Sequence, residues 1–297
     1  MESSKTPEKI RKACIELISR QTLPEFIALL EDVKQVIRIS ESLKSYPVFV
    51  KMLEKMGLSA EHSDFGYSLR YDGNYERVYD SPDRVFVYIS KDRQLAKDAK
   101  EAESRRDDKG LGRILGFPEC CTDFYMDRIK NAKVHPDFIY ESHINTKKRH
   151  SYYINNCFYD SDLDFASSLI FHFPCSYSCK ESIVRAKRLL GFIRDWMPDE
   201  AALMERRLKM PVLYFYPHEF FVLKGGNNAQ KVTQDMTWDI IDYDGFYSWL
   251  GHKTSKSIAS EFRWADRAVI EKDSIKLFRD GWQTKNIEKP FIFLKFG

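Results

Sequence analysis

Two segments of this chain carry matching chemistry: Gly116-Phe117-Pro118-Glu119-Cys120-Cys121 and His172-Phe173-Pro174-Cys175-Ser176-Tyr177-Ser178-Cys179. Together they hold four of the six cysteines, and each sets Phe-Pro directly ahead of its thiols. Proline suits the first turn of a helix, and apolar residues at helical spacing follow both segments, so each reads as a helix start with cysteines in the first turn. At such a place unpaired N–H groups and the positive end of the helix dipole favour thiolate over thiol. They can draw a cysteine pKa from about 8.5 to roughly 3.5–7.5. The pattern predicts a thiolate-centred site and leaves its substrate open.

Three chemistries fit such a site. Four thiolates from Cys120, Cys121, Cys175 and Cys179 can hold zinc or an iron–sulfur cluster. The three residues between Cys175 and Cys179 suit a zinc pair, whereas adjacent cysteines are a less usual pair on one ion. Three cysteines with His172, or with a position left for substrate, fit equally well. The second chemistry is a redox or nucleophilic thiol pair. The third reading is inert packing, since Cys121 and Cys179 both fall on apolar stripes.

Catalysis at a metal needs an open coordination position. Cys120 lies about 100° around the helix from Cys121, off the apolar stripe, and is expected to be the free nucleophile or a part-time ligand. His172 is expected to ligate or to transfer protons, beside thiolates that share its surroundings. Arg113, Asn155 and Asn156 are expected to orient the substrate, although a surface ion pair and an asparagine turn are the plain alternatives. Glu119 has the ordinary role of complementing a helix dipole. Cys14 sits on a helical apolar stripe and reads as core, and Cys157 as a spare thiol facing the site. His143, His150, His218 and His252 lack metal-type spacing. The absence of a Gly-rich phosphate loop, a nucleophile elbow or a dinucleotide fingerprint argues against nucleotide hydrolysis, serine-hydrolase chemistry and nicotinamide binding.

The elements that must position these residues follow from patterning. Residues 8 to about 57 read as helices, with one apolar run through Phe26, Leu29, Leu30, Val33 and Ile37. Strands are expected at Tyr67–Tyr71 and Arg84–Ile89, around turns at Asp72-Gly73-Asn74 and Ser81-Pro82-Asp83. Residues 91 to 107 read as an exposed helix with Leu95 and Ala99 as a thin stripe. His143 to Asp164 reads as a polar, aromatic loop able to line a pocket. Helices follow to Trp196 and to Leu208. Strands then recur at Val212–Tyr216, Phe220–Leu223, Ala268–Ile270, Ile275–Phe278 and Phe291–Phe296, with a turn at Gly225-Gly226-Asn227 and a helix around Phe246 to Leu250. The fold class is α+β: a helical N-terminal region over 1–62, a central cysteine-bearing domain with a small sheet over 63–208, and a β-rich module over 209–297.

Composition sets the bounds. The 297 residues are 43% hydrophobic and 14% aromatic, enough for a packed core without disulfide staples. Six dispersed cysteines are too few for a disulfide scaffold, and clustered ones in a reducing compartment more often bind metal or do chemistry. Residues 1 to 12 are polar, and no stretch approaches ~18 apolar residues, so no membrane role is expected and the cytoplasm is the expected compartment. The 47 basic and 44 acidic residues are interspersed, and the net charge of +3 does not imply nucleic acid.

The run Gly112-Arg113-Ile114-Leu115-Gly116-Phe117-Pro118-Glu119-Cys120-Cys121, followed by His172 to Ser182, resembles the archaeal and bacterial proteins grouped as domain of unknown function 483. The resemblance covers mainly residues 84 to 196 and extends to the strand-rich tail from Val212. It implies that the four cysteines and His172 form a functional set, and it implies no reaction. The expectation is an enzyme that uses a metal or iron–sulfur centre on a small molecule, a modified amino acid or a peptide. A zinc-stabilised module binding protein or RNA, and a metal-free thiol oxidoreductase, are the alternatives.

Overall fold

Strands β1 (Val36–Ser42), β2 (Ser59–Leu69), β3 (Tyr75–Val78) and β4 (Arg84–Ser90) form an antiparallel sheet in the order β1-β4-β2-β3. The structure is a computed structural model that describes residues 6–69, 75–80, 82–132, 136–157, 168–215, 219–223, 236–239, 243–248, 261–262, 264–265, 267–271, 273–288 and 291–297. Side chains alternate across the pleat, so each face of the sheet meets a different layer. Ile37 and Ile39 join Val85, Val87 and Ile89 in the largest apolar cluster, with residues of α1 (Glu8–Leu17), α2 (Leu23–Leu30) and α3 (Tyr46–Lys55). Val36, Phe86 and Tyr88 instead pack with Ala96, Ala99 and Ala102 of α4 (Arg93–Ser104). Alanines let this helix approach the sheet closely, so the helix expected to be exposed is half buried.

The helix expected to run through Val33 and Ile37 ends at Leu30. Asp32 takes a left-handed φ of 56°, and the chain then enters β1, whose seven residues pair with β4 from Val36↔Ser90 to Ser42↔Arg84. Ile37 and Ile39 fit a strand period as well as a helical one, and the tertiary ladder decides between them. The region read as helical therefore supplies an edge strand of the sheet.

Beyond α4 come α5 (Asp108–Ile114), α6 (Glu119–Asn131), α7 (Phe138–Ile144), α8 (Lys180–Trp196) and α9 (Pro198–Leu208). The buried face of α8, including Ala186, Leu189, Leu190 and Ile193, runs into the largest cluster. The tail is strand-rich, as expected. It contains β5 (Val212–Phe215), β6 (Glu219–Leu223), β7 (Met236–Asp239), β8 (Tyr243–Ser248), β9 (Arg267–Ile270), β10 (Ser274–Arg279), β11 (Trp282–Glu288) and β12 (Phe291–Leu294). Two sheets result, in the orders β12-β5-β6-β8 and β11-β10-β9-β7. Of the helix expected around Phe246 to Leu250, residues 246–248 are instead the end of β8, where Phe246 and Tyr247 pair with Phe221 and Phe220; aromatic residues favour such a ladder, and 249–250 lie outside the described residues. The turns expected at Asp72-Gly73-Asn74 and Gly225-Gly226-Asn227, His218 and His252 lie outside the described residues. Among the described residues no helix is long and apolar enough to cross a membrane.

One buried carboxylate ties the first sheet to α4. Glu103 is 2% exposed; it accepts from Arg38 Nη1 of β1 at 2.7 Å and from the Tyr88 hydroxyl of β4. Arg38 also stacks over Phe86, 4.7 Å from the ring centroid. Removing one partner of such a group strands the others, so Glu103→Ala should lose about 3 kcal/mol of stability and Glu103→Gln less. Urea denaturation reads this directly, and an unchanged midpoint would remove Glu103 as the tie.

Candidate metal centre

The corner between α5 and α6 sets the first pair of thiols. Gly116 N–H bonds to the Arg113 carbonyl at 3.0 Å and Phe117 N–H to the Gly112 carbonyl at 2.8 Å, closing the end of α5. Gly116 has φ 72°, a left-handed conformation that glycine adopts without the Cβ penalty. The Gly116 carbonyl in turn accepts from Arg185 of α8. Pro118 begins the next helix, its carbonyl accepting from the N–H groups of Cys121 and Thr122 at 2.9 and 3.0 Å. Cys120 and Cys121 therefore lie in the first turn of α6, as expected. The second segment differs. α8 begins at Lys180, so Cys179 caps it from outside and Cys175 lies in the preceding turn.

The two segments nevertheless bring their thiols to one place. Cys120 Sγ is 3.6 Å from Cys179 Sγ and 3.9 Å from Cys121 Sγ, and Cys121 Sγ is 3.7 Å from Cys179 Sγ. All four sulfurs, with that of Cys175, lie within 4.8 Å of one another, and such a group can bind a metal ion. Cys121 and Cys179 are buried, Cys175 is half-buried and Cys120 is exposed. Hydrogen bonds from Cys121 and Cys175, then from Ser182, hold the Cys179 thiol far below the usual range. Burial, then the charge on Cys179, pushes Cys120 up. One thiolate thus opposes the next, and a bound cation is what allows several to ionise together.

Further hydrogen bonds orient the sulfurs. The Cys175 amide donates to Cys121 Sγ at 3.3 Å. Ser182, one turn into α8, is 3.4 Å from both Cys179 Sγ and Cys121 Sγ, and its hydroxyl is 2.9 Å from His172 Nε2. Burial, then the nearby Lys34, lowers the His172 pKa to about 3, so the ring is neutral. A neutral ring with its proton on Nε2 donates to Ser182, whose own proton is then directed to a sulfur. The structure thus places His172 one hydrogen bond behind the sulfurs.

The other expected site residues are dispersed. Arg113 is exposed and faces Glu119, 3.6 Å away. Asn155 is fully buried; its amide donates to the Leu208 carbonyl and its Oδ1 accepts from the Cys157 amide. Asn156 Oδ1 accepts from the Tyr177 hydroxyl at 3.0 Å. Cys14 is core, and Cys157 is buried.

One cavity adjoins the cluster, and a second shares part of its wall. One, of about 180 Å³, is bordered by Cys121, Arg38, Asp108, Tyr125, Phe171 and Phe173 among others. The second, of about 140 Å³, is bordered by Asn156, Cys157, Tyr214 and Phe220, with Arg38 and Phe171 to Phe173 shared between the two. Neither Arg113 nor Asn155 borders them. Arg38, Asp108 and Tyr125 border the larger cavity and Ser182 touches two sulfurs, and the sequence reading gave none of them a part in a site. Signals existed for two: Tyr125 shares the helix face of Cys121, and Ser182 lies three residues after Cys179 on the helix that it starts.

Residues 94–209 match the model of a family described as "Protein of unknown function (DUF483)". This is the family expected from the paired cysteine segments, and the matched stretch contains all four clustered cysteines; it ends before the tail from Val212. No curated protein and no solved structure matches the chain. A hydrogen bond that orients a metal ligand is typically worth 10–100-fold in affinity, so Ser182→Ala should weaken metal binding by about tenfold. Competition with a chromogenic chelator measures this, and an affinity within twofold of wild type would show that Ser182 does not tune the sulfurs.

Proposed function

We propose that the four cysteines hold one zinc ion in a closed, structural site, and that the protein handles a small molecule in the cavity which this centre helps to wall. The spacing of the sulfurs carries the reading. With Zn–S bonds of about 2.3 Å, a regular tetrahedron has S···S edges of about 3.8 Å, and three pairs here measure 3.6, 3.7 and 3.9 Å. An iron–sulfur cubane puts each thiolate on a different iron and so spreads its ligands around a cluster, whereas these four sulfurs surround a single point. An all-thiolate tetrahedron suits zinc.

The chemistry follows from ligand count. Four thiolates fill the tetrahedron and leave no position for substrate, which is the arrangement of structural zinc. The ion would join the first turn of α6, the turn holding Cys175 and the start of α8. When bound, zinc supplies charge neutralisation for the thiolates. The chain's own residues would do the rest: Ser182 and the Cys175 amide orient sulfurs, His172 orients Ser182, and the Arg38, Asp108 and Tyr125 side chains meet the small molecule. Cys120, the solvent-facing member, is read here as a ligand with a looser hold than its buried partners.

Elemental analysis of protein purified without oxygen should give one zinc per chain and no acid-labile sulfide. Cys121→Ser and Cys179→Ser should lose both metal and the cooperative unfolding transition, whereas Cys120→Ser should stay folded and bind zinc more weakly. Iron with sulfide, or a folded metal-free Cys121→Ser variant, would overturn the structural-zinc reading.

A further inference from the structure

The four clustered cysteines share one point in space and differ in their access to solvent. Cys121 and Cys179 are 1% and 6% exposed and Cys175 is half-buried, whereas Cys120 is exposed at the start of α6. A closed structural site gains nothing from leaving one ligand open to solvent, because sulfur oxidation follows thiolate character and access together. An oxidant that arrives from solvent therefore meets Cys120 first.

A second observation fixes where such an attack would lead. Cys179 Sγ lies 3.6 Å from Cys120 Sγ, nearer than Cys121 Sγ at 3.9 Å. The adjacent pair is also barred by its backbone: neighbouring Cα atoms across a trans peptide are about 3.8 Å apart, and a disulfide spans about 4.4–6.8 Å. Cys179 comes from a different segment and stands just outside α8, where no helical backbone must break for its sulfur to close the last distance. The Ser182 hydroxyl, 3.4 Å from that sulfur, donates to it and keeps it aimed into the cluster.

We infer that Cys120 is the site at which a hydroperoxide oxidises this centre, and that Cys179 completes the reaction as a Cys120–Cys179 disulfide which expels the metal. This deepens the proposed function, because the metal it releases is the zinc of that reading. The Cys120 thiolate attacks one peroxide oxygen, the O–O bond breaks, and the departing oxygen leaves as hydroxide or alkoxide; the sulfur is then a sulfenic acid. The Cys179 thiolate attacks that sulfur, the S–S bond forms, the S–O bond breaks and hydroxide leaves. Two thiolates have given two electrons to one hydroperoxide, and two solvent protons convert the leaving groups to water, or to water and an alcohol. The ion keeps only Cys121 and Cys175 of its four thiolates, too few to hold it. Cys121 also borders the larger cavity, so the loss of the ion loosens part of that wall.

The test uses the full-length, zinc-loaded protein with hydrogen peroxide as probe and a chromogenic chelator to report released zinc. The release rate should rise in proportion to peroxide, one disulfide should form per ion lost, and peptide mapping without reductant should join Cys120 to Cys179. Dithiothreitol with added zinc should restore the metal. In Cys120→Ser the slope of release rate against peroxide should fall at least about tenfold; the slope is separate from the spontaneous loss that a weaker hold allows. A dimedone trap in the wild-type protein gives the same assignment without a variant, and the first adduct should sit on Cys120. An unchanged slope in Cys120→Ser, a first adduct on another cysteine, or a first disulfide other than Cys120–Cys179 would overturn the inference. Zinc retained while peroxide is consumed defeats this inference and leaves the structural-zinc reading standing; a reversible Cys120–Cys179 bond in folded protein that never held zinc defeats the structural-zinc reading and leaves the thiol pair standing.

Discussion

Sulfurs under 4 Å apart cannot all be charged in the absence of a cation, yet two of those here are buried where N–H and O–H donors reach them. Much of the central region is arranged around this conflict. The left-handed Gly116 turns the chain so that Pro118 can start α6 beside α8, and Arg185 of α8 reaches back to the Gly116 carbonyl. Donors to sulfur arrive from the Cys175 amide and from Ser182, and both favour the charged form.

The same packing creates the space next door. Phe117 and Phe173, the residues ahead of the two prolines, both border the larger cavity. The prolines thus perform two tasks at once: they end one backbone direction and they hold a ring where it forms a wall. Lys34 shows how tightly this side is closed. It pairs with Glu25 at 3.0 Å, both side chains nearly buried, and its ammonium lies over the rings of Phe117 and Phe171. Arg38 is held comparably on the other side by Glu103 and Phe86. Two cations, each neutralised by a carboxylate and faced by aromatic rings, therefore flank the loop that carries His172.

Much of the cysteine cluster was legible in the sequence, because cysteines are scarce and their neighbours repeat. The Phe-Pro pattern located both approaches, and the absence of a matching context correctly left Cys14 in the core. Cys175 was named by its spacing to Cys179, but its setting was not: it was expected in the first turn of a helix and lies in the turn before α8, with its amide on Cys121 Sγ. Elements were lost where two periods coincide. Ile37 and Ile39 satisfy a helix or a strand, and hydrogen bonding to β4, remote in sequence, settles the matter. That error hid Arg38, whose place in the cavity depends on β1 being a strand. Asp108 was invisible for a related reason, since a carboxylate in the first turn of a helix is ordinary until a fold puts it opposite a guanidinium. Asn155 illustrates the reverse case: an attractive polar residue whose hydrogen bonds are consumed by backbone groups.

The clustered sulfurs come from positions far apart in the chain, with Cys121 and Cys179 separated by 58 residues. Any ion joining them closes a long loop, and the geometry that receives it exists only after the α5–α6 corner has docked on α8. Closing such a loop in a disordered chain carries an entropic cost of its own, so such an ion would be a latecomer to folding. A partner that joins only the finished structure deepens the native well and leaves the climb towards it largely unchanged. Metal supply would then govern how long each folded molecule persists, far more than how quickly it is made.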